Sequence, residues 1–187
     1  MKKTHITIGL ILFGLLISCI SNQIESVDKL VLKKSYRNDT IWKTDSLMLN
    51  KSLENDTLRF IYKQKLDTLA YSFSKSIKND SSIHLYGQNC FLVSQKKFKI
   101  GNENFEISRY YYDVENSVDE ESSFFYHKDY GILVCCNDGW SDLIFSVEHD
   151  NKSKILIDSI INDRTGFYRM NIPPPPPFSD SLIIEID

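Results

Sequence analysis

Thr57-Leu58-Arg59-Phe60-Ile61-Tyr62-Lys63-Gln64-Lys65-Leu66-Asp67-Thr68-Leu69-Ala70-Tyr71-Ser72-Phe73-Ser74-Lys75-Ser76-Ile77-Lys78 is the stretch on which the fold turns. Leu58, Ile61, Tyr62, Leu66, Leu69, Ala70, Phe73 and Ile77 recur mostly at spacings of three and four, which makes one apolar stripe on a helix. Arg59, Lys63, Lys65, Asp67 and Lys75 fall largely off that stripe. Asp56 or Thr57 can cap the start, and Lys75 and Lys78 suit the negative end of the helix dipole. Asn79-Asp80-Ser81-Ser82 then stops it. The competing reading is two strands, 58–63 and 68–74. The spacing predicts the helix over 57–78.

Beyond residue 82 the pattern changes to short strands between turn signals. Ile83 to Tyr86, Cys90 to Ser94, Phe98 to Ile100, Phe105 to Tyr112, Phe124 to Tyr126 and Ile132 to Cys136 are separated by Gly, Asn and Asp clusters, except that Lys96-Lys97 stands between the second and third. Asn137-Asp138-Gly139 signals a hairpin, because Asp-Gly supplies the positive φ of a tight turn. Leu143, Phe145 and Val147 alternate with Ile144, Ser146 and Glu148. Ile132-Leu133-Val134-Cys135-Cys136 is apolar throughout and so is expected at the centre of a sheet, covered on both faces. Residues 154–162 fit a strand or a short helix. Pro173 to Pro177 can neither join a sheet nor continue a helix, and reads as an extended spacer before a C-terminal strand over Leu182–Ile186. The expected fold is therefore α+β: an antiparallel meander over 83–148, joined by the last strand and covered on one face by the helix 57–78.

Before residue 57, Leu30-Val31-Leu32 fits a short strand, Asn38-Asp39-Thr40 a turn and Asn50 to Asp56 a loop. At the start of the chain, Met1-Lys2-Lys3 precedes an apolar run from Ile6 to Ile17, and Leu16-Ile17-Ser18-Cys19 follows. This is the layout of a secretory leader. The run is too short to span a membrane, which takes roughly 20 apolar residues. Leu16 to Cys19 resembles the lipobox of bacterial lipoproteins: aliphatic, variable, small, cysteine. The resemblance covers residues 1–19 only, and the chain beyond it resembles no named family. It implies cleavage before Cys19, a diacylglycerol thioether on its sulfur, and an acyl chain such as palmitate on the new amino group. Two or more acyl chains hold a protein at a membrane stably. In Gram-negative members an Asp after the cysteine retains the chain at the inner membrane. Ile20 stands there, so the resemblance implies the outer membrane. The expected organisation is a signal peptide over 1–18, a lipidated tether over 19–27 and a single globular domain over 28–187.

Losing Lys2 and Lys3 with the leader takes the formal charge from −3 to −5. A mildly acidic surface argues against a nucleic-acid partner. Cys90, Cys135 and Cys136 are an odd set in an oxidising compartment, so one thiol at least is left over. On a strand the adjacent pair point to opposite faces and do not bond to each other. The set reads as small buried hydrophobes, or else one member of the pair reaches Cys90.

Chemistry-bearing motifs are few. His84, His127 and His149 lack a second ligand at metal-binding spacing, and no phosphate loop or nucleophile elbow occurs. Cys135 or Cys136 with His127 can be drawn as a hydrolase pair, but an apolar run raises a thiol pKa. Asp113, Glu115, Asp119, Glu120 and Glu121 suggest a calcium loop, yet Val118 stands where an EF-hand needs glycine and Phe124 where it needs glutamate. The Asn-x-Ser/Thr triplets at Asn38, Asn50, Asn55, Asn79 and Asn151 follow from the abundance of those residues. Alternation puts Tyr111 on one face of a strand and Tyr110 and Tyr112 on the other, filling a core or lining a sugar or peptide surface. No residue is assigned to catalysis, a cofactor or a metal, and Cys19 is the one assigned site, for lipidation. The expected function is a non-enzymatic accessory or binding domain anchored in the cell envelope, with the membrane and an envelope protein or glycan as partners. The alternatives are an envelope enzyme with an unfamiliar site and a protective, immunity-type partner protein.

Overall fold

The computed structural model describes residues 27–37, 40–85, 88–112, 121–137, 142–168 and 184–185. The leader, Cys19, the proline run 173–177 and most of the acidic loop 113–121 lie outside them.

The stretch 57–78 is not a helix. It forms two strands, β3 (Thr57–Lys63) and β4 (Leu69–Ser76), joined by a short 3-10 turn at Lys65–Asp67. Leu66 and Asp67 have φ of 70° and 63°, which no right-handed helix accommodates. Upstream, β2 (Thr40–Glu54) meets β3 through Asn55 and Asp56, both at positive φ, with Glu54 opposite Thr57. Two left-handed residues between paired strands make a type I′ hairpin, whose twist matches that of its strands. Alternation then sends Phe60 and Tyr62 of β3 and Tyr71 and Phe73 of β4 to one face. Phe60 lies opposite Phe73, with ring centroids 4.5 Å apart and near-parallel planes.

The remaining strands are β1 (Val27–Arg37), β5 (Ser82–Leu85), β6 (Gln88–Ile100), β7 (Glu103–Tyr112), β8 (Ser122–His127), β9 (Gly131–Asn137) and β10 (Asp142–Val147). Each pairs antiparallel with the next in sequence, and β10 returns to β1 with Val31 opposite Val147. Ten strands thus close into an up-and-down barrel. A short β11 (Ile184–Glu185) adds in parallel to β6 at Ser94 and Gln95, past the stretch that pairs with β5. The expected open α+β sheet is corrected accordingly. The sheet starts at Val27 and closes on itself, and the segment assigned to its covering helix supplies two of its staves. The expected C-terminal strand does return to the sheet.

Eight strands make a barrel that side chains can just fill, so ten leave a wider lumen. Here large rings occupy it. Phe60, Tyr62, Phe73, Tyr110, Tyr126 and Phe145 are all buried within one cluster, and Tyr126 meets Phe60 edge-on at 5.8 Å. Tyr62 belongs to the same cluster. It is wholly buried, and its hydroxyl accepts the Ile132 backbone N–H at 3.2 Å. Leu66, Leu69 and Ile77, expected in the core, are 97%, 56% and 50% exposed.

The one α-helix among the described residues is α1 (Asn151–Ile161), in the stretch whose pattern was ambiguous. Asp150 caps it by accepting the Lys152 N–H at 2.9 Å. Leu156, Ile157 and Ile160 bury against the outer wall, with Ile107, Phe125, Val134, Cys136 and Ile144. Phe167 and Tyr168, in the segment after the helix, complete this second core. β9 is covered on both faces as its composition requires, with α1 as the outer cover.

Candidate functional site: a cationic cleft on the barrel wall

Between α1 and the barrel's outer face lies a cleft of about 740 Å³. Alternation on β1 turns Lys34 and Tyr36 outward, and on β10 it turns Asp142, Ile144 and Ser146 outward. The helix supplies Lys154, Ile157, Asp158 and Ile161 from its side, and the segment 163–168 supplies Asp163, Arg164, Gly166 and Tyr168.

That last segment is pinned by Asp163. Its carboxylate accepts from Lys96 Nζ at 2.6 Å, from the Thr165 hydroxyl at 2.8 Å and from the backbone N–H groups of Thr165 and Phe167. Both ionic side chains are largely shielded, at 7% and 13% exposure. Burial pulls the Asp163 carboxyl upward, but these hydrogen bonds outweigh it and hold the group below the ordinary carboxylate range. Tyr168 donates to Asp142 at 2.7 Å and seals the floor.

Of the three carboxylates Asp163 is ion-paired to Lys96, and Asp142 takes a neutral hydroxyl donor, so Asp142 and Asp158 still offset two of the three cations and leave a surplus of one. Lys34, Lys154 and Arg164 form no ion pair with any described residue. Three cations therefore surround a floor built from the buried Ile144 and Ile157 and the half-buried Tyr36 and Ile161. An apolar floor with a cationic rim suits an amphipathic anion: a carboxylate or phosphate head at the rim and a hydrocarbon body below.

The residues singled out in the sequence lie elsewhere. His84 is exposed on β5 and His149 is exposed at φ 60° after β10. His127 is buried on β8 between Phe105 and Tyr130, with Nδ1 accepting the Asp129 N–H at 3.2 Å. Burial lowers its pKa. β8 and β9 do pair as a hairpin, but His127 stands opposite Gly131 and Cys135 opposite Phe124, so the thiol and the imidazole are not brought together. The three described cysteines are buried and form no disulfide among the described residues. Cys135 faces the lumen with Cys90, and Cys136 faces the outer core, as alternation requires. Burial pushes the Cys90 thiol up to about 12 and raises Cys135 further still. Tyr110 and Tyr112 join the lumen cluster. Of the acidic loop only Glu121 is described, and no group of His, Cys, Asp or Glu among the described residues could hold a metal ion.

Sequence reasoning missed Lys34, Lys154 and Arg164. They come from a strand, a helix and a connecting segment, so no local spacing joins them.

The chain matches no protein-family model, and no curated protein or solved structure matches it.

Proposed function

We propose that this chain is a lipid-anchored, non-enzymatic binding protein of the cell envelope, and that its ligand is an amphipathic anion held in the cleft between α1 and the barrel. The lipobox at Leu16–Cys19 supports the anchor, and Ile20 after the cysteine supports the outer membrane. The stretch that follows Cys19 is then the tether between the anchor and the barrel.

The observation that carries the binding role is the set of three cations, Lys34, Lys154 and Arg164, which form no ion pair among the described residues, over an apolar floor. Unit charges 4 Å apart attract by about 1 kcal/mol in water and about 4 kcal/mol near a protein surface, so each contact to an anionic head matters. The hydrocarbon body adds about 0.8 kcal/mol per buried CH₂. Arg164 suits a planar carboxylate or a phosphate through paired N–H donors.

Two experiments test this reading. Metabolic labelling with a fatty-acid analogue is expected to mark the chain, and labelling that persists in Cys19→Ala overturns the anchor. Calorimetric titration with hexyl phosphate is expected to show tighter binding than hexanol or inorganic phosphate. Arg164→Ala and Lys34→Ala should each weaken it about five- to tenfold, as about 1 kcal/mol per lost charge contact requires. Unchanged affinity in both variants overturns the cleft as the site.

A further inference from the structure

We infer that the mouth of the barrel, at the end where β1 begins, is a second binding site, for a neutral saccharide. It lies inside the ring of strands, in a cavity of about 420 Å³ that shares no lining residue with the outer cleft. β3 and β4 bring Leu58 and Lys75 opposite each other there, β6 and β7 bring Gln95 opposite Ser108, and Tyr126 of β8 lies opposite Ser108.

Tyr126 points to a ligand. The residue is 3% exposed, and its hydroxyl oxygen is shielded and has no hydrogen-bond partner among the described residues. The other wholly buried tyrosines of the lumen are satisfied: Tyr62 accepts from Ile132 N–H, and Tyr110 donates to the Asp80 carbonyl at 3.0 Å. A buried hydroxyl left unpaired is costly, and phenylalanine would fill the same space without that cost. A partner that enters through the mouth accounts for the hydroxyl.

The charge around the mouth sets the chemistry. Lys75, almost fully shielded, is committed to the Asp80 carboxylate and to the carbonyls of Ser76 and Asn79. Lys128 and Glu106 add one charge of each sign. The lining of the cavity thus carries two groups of each sign, Lys75 and Lys128 against Asp80 and Glu106, while Lys29 and Lys51 at the same end are turned to Asp129 and the Lys128 carbonyl. Gln95 donates to the Ser108 hydroxyl at 3.0 Å, and the carboxylates of Asp80 and Glu106 remain largely exposed as acceptors. Leu58 and Ile77 supply an apolar patch beside them. Alternating donors and acceptors next to an apolar patch match the hydroxyls and C–H faces of a sugar, and the volume lies in the range of small-molecule sites.

The test uses the full lipidated chain in a zwitterionic detergent, titrated calorimetrically with maltose, cellobiose and N,N′-diacetylchitobiose. At least one disaccharide is expected to bind. Tyr126→Phe should weaken it about tenfold, the loss of one hydrogen bond, while leaving hexyl phosphate binding and the unfolding midpoint unchanged or the midpoint raised. Gln95→Ala, on another strand of the mouth, should also weaken it. Failure of all three sugars to bind overturns the inference, as does wild-type affinity in both variants. Because hexyl phosphate reads only the outer cleft, loss of either site is recognised without the other.

Discussion

The hydroxyl of Tyr62 occupies the space that a side chain at residue 131 would need: a Cβ built on Gly131 would stand 2.6 Å from it and 3.0 Å from the Phe60 ring. The same hydroxyl accepts the N–H of the next residue, Ile132. Gly131 also has φ of 78°, where any other residue is strained. One glycine thus lets β9 approach β3 across the lumen.

Gly131→Ala should therefore destabilise the barrel by about 2–4 kcal/mol, from overpacking together with backbone strain. Tyr62→Phe should cost about 1–3 kcal/mol by leaving a buried N–H unpaired. In the double variant the clash is partly relieved, so the combined loss should fall short of the sum. Denaturant unfolding of the four proteins reads this coupling, and strict additivity would contradict the contact.

The two strands at 57–78 separate residues that a helix would have treated alike. Phe73 is 4% exposed and stacked on Phe60, so Phe73→Ala should cost about 3–5 kcal/mol. Leu69 is 56% exposed, so Leu69→Ala should change stability by less than about 0.5 kcal/mol. Leu66 is 97% exposed in a left-handed conformation, so Leu66→Gly should be neutral or stabilise by up to about 1 kcal/mol. Unfolding midpoints of the three variants check the set. A large loss in Leu69→Ala would contradict the exposed position of Leu69 on β4.

β6 runs unbroken over Gln88–Ile100 where two strands, 90–94 and 98–100, were expected across Lys96-Lys97, but the rest of the meander after residue 82 was legible because its strands alternate and its turns carry Gly, Asn and Asp. The stretch 57–78 was not, because its apolar residues satisfy both periods. Tyr62, Leu66, Leu69 and Phe73 fit a helix, while Phe60 and Tyr62 with Tyr71 and Phe73 fit two strand faces. The deciding signal was Asn55-Asp56, residue types that tolerate the left-handed region and so mark a type I′ hairpin. Closure of the sheet has no local signature, since it rests on β1 finding β10 more than a hundred residues later. The outer cleft was illegible for the same reason. Lys34, Lys154 and Arg164 acquire a common role only when α1 lies on the wall beside β1.

The thiols offer a test of the closed barrel. Cys90 and Cys135 are buried in the lumen with pKa values pushed up by desolvation, and Cys136 is buried beneath the outer core. At pH 8 in the folded protein these three should react with an aromatic disulfide reagent no faster than the barrel opens. In denaturant all should react at the ordinary rate. Rapid labelling of Cys135 in the native state would show a lumen open to solvent.

Asp163 ties the fold to the cleft, and pH reads the tie. Its pKa is held below the ordinary value of 3.8, chiefly by Lys96 and the Thr165 and Phe167 donors acting against burial. A carboxylate depressed in the folded state contributes its full stability above the unfolded pKa, and loses it as pH falls through the folded value. Wild type should therefore lose stability below about pH 4 more steeply than Asp163→Asn, and the two unfolding midpoints should converge in acid. At pH 7 the variant should be less stable by roughly 3 kcal/mol, because Lys96 is left shielded without its counter-charge. The loss should also loosen the segment that carries Arg164. Hexyl phosphate binding should then weaken in Asp163→Asn at pH 7 although the substitution removes a negative charge from the cleft. Tighter binding in that variant would mean that Asp163 acts on the ligand by repulsion and not by holding Arg164 in place.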